Sequence, residues 1–204
     1  MAKKQVAKTA KPRTTGVGLS EVASLLRLPP GVKDQKLKKG GKRVRSISIT
    51  DLPEAGYIPG VESLITLSPD RHKSLEKYLI QPFDVIMSIQ GSVGTVGVVP
   101  ETFTGNWLAN ISLLVVRFAE NPKDNAIALS MFLKSTKGQE TIAKLQKGDS
   151  IKRVNVKEFA AIRIPALTPA LKKSSATAFK EEVNVKARID ELYARISQIR
   201  KQYP

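Results

Sequence analysis

The spacing of apolar residues divides the chain into short strand-like runs followed by a helical remainder. Near the start, GVGLSEVASLLRL sets Val22, Leu25 and Leu26 on one amphipathic turn that Ser20 is placed to cap. PPGVKDQKLKKGGKRVR follows, and its Pro and Gly boundaries and dense lysines predict an exposed loop. Ile47 and Ile49 alternate with Ser46 and Ser48 as in a strand ending at Asp51, the stretch to Gly60 reads as turn, and SLITLS predicts a further strand. In FDVIMSIQGSVGTVGVVPE, Phe83, Val85, Met87 and Ile89 alternate with Asp84, Ile86 and Ser88. Glycines at 91, 94 and 97 break the run, and Val96 to Val99 resumes it, so two strands joined at a glycine-bearing corner are expected. ANISLLVVRF is apolar on both faces, as a strand inside a sheet would be.

After Pro122 the period becomes helical. Ile127, Leu129, Phe132 and Leu133, then Ile142 and Leu145, lead to Gly148, which can cap the C-terminus. Asn155 with Glu158 predicts one capped short turn, and AAIRIP a closing strand stopped by Pro165. Thr168 and Pro169 then open a helix that meets no Pro or Gly before Tyr203, about 35 residues and roughly 50 Å. Along it Ala178, Glu182, Val185, Ile189, Leu192, Ile196, Ile199 and Tyr203 recur at alternating steps of four and three, the coiled-coil pattern. A domain built from residues 17 to 165 cannot bury a stripe that strengthens toward the far end, so a partner helix is expected.

Charge sharpens this picture. The 204 residues carry a net charge of +16, and residues 1 to 45 hold 13 Lys or Arg against 2 Asp or Glu. Such a tract neutralises phosphates and releases counterions, which makes nucleic acid the leading partner. No aromatic residue interrupts the tract, which argues against a stacking platform for single strands. The alternative is a basic RNA-binding or structural protein without sequence specificity. No apolar run reaches membrane-spanning length, and MAKKQVAKTAKPR is not followed by a signal-peptide core, so a cytoplasmic protein with no membrane partner is expected.

Catalytic chemistry has little raw material. The chain has no Cys and a single histidine, His72, which leaves almost nothing for zinc or for a histidine base. An adenine methyltransferase would need Asp or Asn before Pro-Pro and an aromatic after it, whereas Pro29-Pro30 stands between Leu28 and Gly31. Pro69-Asp70 could open a metal-dependent nuclease motif, but no Glu-x-Lys or Asp-x-Lys follows it. The glycines at 91, 94 and 97 match neither a P-loop nor a dinucleotide fingerprint.

Taken in order, LSEVASLL, ISITDLPEAGYI, DVIMSIQGSVGTVGVVPE, WLANISLLVVRF, FLKSTKGQETIAKLQKGDS, VNVKEFAAIRIP and the long helix resemble the target-recognition domain of type I restriction-modification specificity subunits, over residues 17 to 203. The resemblance implies a mixed α/β (α+β) domain with a curved sheet and flanking helices, followed by one long coiled-coil helix. On that division residues 1–16 are a basic flexible leader, 17–166 the recognition domain and 167–204 the spacer helix. It further implies a non-catalytic reader of double-stranded DNA. Its partners would be a modification subunit that methylates adenine with S-adenosylmethionine and, in complete systems, a restriction subunit that translocates DNA; no cofactor is expected in this chain. Specificity subunits usually carry two recognition domains and two such helices, whereas this chain resembles the half-sized form. An identical copy running antiparallel is therefore the expected occupant of Val185, Ile189, Leu192, Ile196, Ile199 and Tyr203, giving a homodimer. Lys38, Lys39, Lys42, Arg43 and Arg45 are candidate phosphate contacts, with Lys134, Lys137, Lys147, Lys152 and Arg153 as further DNA-binding candidates. Gln90, Ser92 and Thr95 on the glycine-bearing turn are candidates for base edges, although Gln90 and Thr95 stand where relatives often place Arg or Lys.

Overall fold

The computed structural model describes residues 16–35 and 39–203. The predicted leader, except for Gly16, and Lys38 lie outside the described residues. In chain order the elements are β1 (Gly16–Gly18), α1 (Leu19–Val22), β2 (Ser24–Leu26), β3 (Lys42–Ile47), β4 (Leu64–Leu67), α2 (Pro69–Leu75), β5 (Val85–Ser88), β6 (Val96–Val98), β7 (Trp107–Ala109), β8 (Leu113–Arg117), α3 (Pro122–Lys134), α4 (Thr136–Leu145), β9 (Gln146–Lys147), β10 (Arg153–Val154), α5 (Val156–Ala160), β11 (Arg163–Pro165) and α6 (Pro169–Gln202). The architecture is mixed α+β, as the resemblance implies, and includes the one long helix that the pattern predicts.

Four strands form an antiparallel sheet in the order β2-β8-β5-β6. Its strands are apolar on both faces because both faces are covered. Val85, Met87, Leu114 and Val116 meet Ile127, Leu129 and Leu133 of α3, Ile142 of α4, Phe159 of α5 and Phe179 of α6. Ile86, Leu113 and Val115 face Ile47, Trp107 and Ala109 of a second, three-stranded sheet ordered β4-β3-β7. The back of that second sheet packs Val44, Leu67 and Leu108 on Leu75 of α2 and on Leu28. The remaining strands form two small ladders, β1 with β11 and β9 with β10.

Several local expectations change once the layers assemble. Leu25 and Leu26 extend into β2 and pair with Val116 and Val115 of β8, because the sheet edge offers more hydrogen bonds than another helical turn. Lys42 to Arg45, expected in an exposed loop, form the first part of β3, while Ile49 leaves the strand for a 3-10 turn at Ile49–Asp51. The helical run after Pro122 breaks at Ser135, whose extended backbone ends α3 and whose Oγ accepts from the Gly138 N–H at 3.2 Å to start α4. A Cβ on Gly138 would lie 2.0 Å from the Phe132 carbonyl oxygen, so the sharp break requires glycine there. Gly148 caps no helix: α4 ends at Leu145, and Gly148, at φ +98°, belongs to the β9–β10 hairpin turn.

One ion pair sits inside this framework. Asp84, 1% exposed, receives Arg117 Nε at 2.8 Å and Nη2 at 2.6 Å, and the Gln81 N–H at 2.8 Å. Arg117 Nη2 also donates to the Leu79 carbonyl at 2.7 Å. Burial pushes the Asp84 carboxyl above the usual carboxylate range, and Arg117 offsets only part of that push. Removing Arg117 would leave a buried charge without its partner and raise the Asp84 pKa further. Arg117→Ala should therefore cost about 3 to 5 kcal/mol near neutral pH. The deficit should shrink as pH falls and Asp84 takes up a proton. Urea unfolding of both proteins at neutral and mildly acidic pH checks this, and a deficit independent of pH would show that the packing of the Arg117 side chain dominates.

Candidate nucleic-acid interface

The turn between β5 and β6 is braced from three sides. Across its base the Gly94 N–H donates to the Ser88 carbonyl at 3.0 Å and the Ser88 N–H to the Thr95 carbonyl at 2.9 Å. Ser88 Oγ accepts from the Thr95 N–H at 2.9 Å and donates to the Ser92 carbonyl. From α4, Gln139 Nε2 donates to the Gly94 carbonyl at 3.0 Å and to the Leu133 carbonyl at 2.7 Å. A Cβ on Gly94 would come 2.9 Å from the movable end of the Gln139 side chain, so it is the left-handed backbone, at φ +93°, that favours glycine at this corner. From the third side, the Gly91 N–H donates to the Lys152 carbonyl at 3.1 Å and the Val154 N–H to the Ile89 carbonyl at 2.9 Å.

That third contact joins residues far apart in sequence. Gln90 bridges Arg153 in antiparallel register, and Arg153 pairs with Lys147 across β9–β10. Directly opposed residues of an antiparallel ladder project to the same face with Cβ atoms about 5 Å apart, so Gln90, Arg153 and Lys147 form one row. Arg153 and Lys147 are exposed and Gln90 is half-buried. Lys147 Nζ is paired with Glu158 Oε1, an exposed contact. Ser92 is exposed beside the row, whereas the Thr95 hydroxyl already donates to the Ser92 carbonyl at 3.2 Å. This assembly presents two amide or guanidinium groups able to engage base edges, next to ammonium groups able to engage phosphate.

The other candidates lie elsewhere. Ile49 Cδ1 sits 3.5 Å from where Gly91 would carry a side chain, so the turn adjoins the far end of β3. Lys42 and Arg43 begin that strand, roughly 20 Å away along its length. Lys39, Lys42 and Arg43 are exposed there, while Arg45, though exposed overall, has its guanidinium donating to the Val61 carbonyl. Lys134 is largely covered, with its ammonium paired to Glu182 of α6. Lys137 stands at the start of α4 beside Arg163, roughly 15 Å of helix from Lys147. Sequence reasoning named Lys152 but missed the hairpin that carries it, at whose tip Ser150 and Ile151 are also exposed, Ile151 at 51%. The cue was present: Gly148 and Asp149 lie between the residues that pair as β9 and β10.

The long helix supplies a second surface. Thr168 caps it by accepting the Leu171 N–H at 3.3 Å. Ser175 and Phe179 are buried, and the Phe179 ring meets Tyr57 edge-on at 4.9 Å. Beyond Val183, every residue to Tyr203 is exposed except Lys186, which is half-buried. Val185, Ile189, Leu192, Ile196, Ile199 and Tyr203 are all exposed, so no part of the domain covers this stretch of the stripe. Among the described residues, no group of three or more His, Cys, Asp or Glu is arranged to hold a metal ion. No described helix is long and apolar enough to cross a membrane.

No protein-family model and no curated protein matches this sequence. Solved structures do match in fold. The type I restriction-modification S subunit from M. genitalium aligns over 95% of this chain and 45% of its own, with a TM-score of 0.52 at 14% identity. The HsdS subunit from Thermoanaerobacter tengcongensis aligns over 91% of this chain and 41% of its own, with a TM-score of 0.58 at 14% identity. A chain from a structure of an assembled type I R-M system aligns over 95% and 45%, with a TM-score of 0.59 at 14% identity. The chain thus spans less than half the length of the chains it matches, and over that span its fold is that of a type I restriction-modification specificity subunit.

Proposed function

We propose that this chain reads duplex DNA on behalf of a separate adenine methyltransferase and performs no chemistry itself. The observation that carries the reading is the specificity-subunit fold over nearly the whole chain, helix included. The row of Gln90, Arg153 and Lys147 gives that fold a chemical head. Gln90 can make a bidentate contact to adenine and Arg153 to guanine in the major groove. Lys147 and Lys152 would hold phosphates beside them, and the exposed Lys147–Glu158 pair is weak enough to be exchanged for a phosphate contact. Lys39, Lys42 and Arg43, at the other end of β3, would hold the backbone further along the duplex. S-adenosylmethionine would reside in the methyltransferase, which a restriction subunit would accompany in a complete system. A partner helix on the exposed stripe would carry a second recognition unit about a helix length away, roughly 50 Å, so the target would be bipartite with an unread spacer.

The direct experiment is to sequence methylated adenines in DNA exposed to this chain together with its methyltransferase. A single bipartite motif is the expected result, and methylation that ignores the presence of the chain would refute the reading. Gln90→Ala and Arg153→Ala should each relax one base position, changing discrimination by about 1 to 3 kcal/mol while leaving the rest of the motif intact. Binding-site selection that returns the parent motif from both variants would move the reading surface elsewhere. Replacing Lys39, Lys42 and Arg43 together by Ala should instead weaken all sequences alike. It should also flatten the salt dependence by about 0.9 log units of affinity per log unit of salt for each phosphate no longer neutralised.

A further inference from the structure

The exposed stripe on α6 is bordered by charge of one sign. Its steps from 185 to 189, 192 to 196 and 199 to 203 each enclose three residues, and the first and third of these lie along the edges of the stripe. Those edge positions are Lys186 and Arg188, Tyr193 and Arg195, and Arg200 and Gln202. The acidic residues of this half, Asp190 and Glu191, fall within the three-residue step from 189 to 192, one position further from the stripe than the edges, and Glu191 lines a surface groove with Arg188, Leu192 and Arg195. Asp190 pairs with Lys186 along the same helix. Among the described residues, Arg188, Arg195 and Arg200 take part in no ion pair.

These borders bear on what can cover the stripe. A second copy running antiparallel, with Val185 layered on Tyr203, Ile189 on Ile199 and Leu192 on Ile196, would set Arg195 against its own copy and Lys186 against Arg200. A parallel copy in register would set Arg195 against Arg200. Each arrangement places like charges beside the apolar layers, where coiled coils ordinarily use opposite charges to choose their partners. The identical copy expected from the sequence thus matches the apolar seam but opposes it at the edges.

We propose that the helix covering Val185 to Tyr203 is not a second copy of this one and carries Glu or Asp along both edges of its own apolar seam. This rests on the helix alone, so it stands or falls separately from the DNA-reading role. The test uses the full chain at micromolar concentration and physiological salt. The probes are two synthetic helical peptides with the same apolar heptad seam, one edged with Glu and the other with Lys. The chain should sediment as a monomer and bind the Glu-edged peptide about tenfold or more tightly than the Lys-edged one, the size expected from several exposed charge pairs. Arg188→Glu, Arg195→Glu and Arg200→Glu combined should reverse the preference with helical circular dichroism unchanged. A stable dimer of the unmodified chain, equal binding of the two peptides or binding of neither would overturn the proposal. So would a triple variant that keeps its peptide preference and loses affinity for duplex DNA, which would assign the edges to DNA instead. A chain that passes these tests and binds no DNA would refute only the reading role.

Discussion

A helix of 34 residues has more surface than this domain can cover, and the contact made by its first half decides how the rest is used. Phe179 fills the core between the main sheet and Tyr57, while Glu182 accepts the Gly56 N–H at 2.8 Å and pairs with Lys134. A Cβ on Gly56, at φ +76°, would lie 3.0 Å from Val183 Cγ2, so helix and loop meet in close contact. These contacts fix the direction in which α6 leaves the domain. They also exhaust its buried face by Val183, which leaves the remaining apolar residues directed at something outside the domain.

The same anchor borders the glycine-bearing turn. Gly94, Thr95, Lys134, Gln139 and Glu182 line a single cleft, so the brace on the turn and the brace on the helix are neighbours. A recognition surface gains specificity when its polar groups are held in place before the ligand arrives. Here a helix that would join two units and a turn that would face the groove are held by adjoining side chains. Such an arrangement would keep the spacing of the two units constant relative to the surface that reads.

Basic residues in this protein stand in two different settings, and charge alone does not separate them. Arg117 and Lys134 neutralise partners inside the fold, and Arg45 ties β3 to the Val61 carbonyl. Arg153, Lys152, Lys39, Lys42 and Arg43 remain exposed. The first group stabilises the layers because each of its members satisfies an acceptor. The second is available to a polyanion, and it is divided between the two ends of β3 rather than gathered in one patch.

Periodicity alone determined the elements whose character is repeated over many residues: the long helix, the paired central strands around the glycine corner, and the apolar stripe from Val185 onward. Such patterns are legible because each residue votes for the same face, independently of anything distant. The basic composition likewise pointed to a polyanion without reference to any contact. The break at Ser135, the change of Leu25 and Leu26 from turn to strand and the true role of Gly148 were decided by tertiary structure, because each depends on a neighbour remote in sequence or on the space between two helices. The row of Gln90, Arg153 and Lys147 belongs to the same class. Its members come from three segments, and only the bridge between Gln90 and Arg153 puts them on one face. The apolar seam was visible in the sequence as a place for a partner, but only its exposure on the folded chain showed that the domain leaves it uncovered, because burial is a property of the assembled layers and not of the helix.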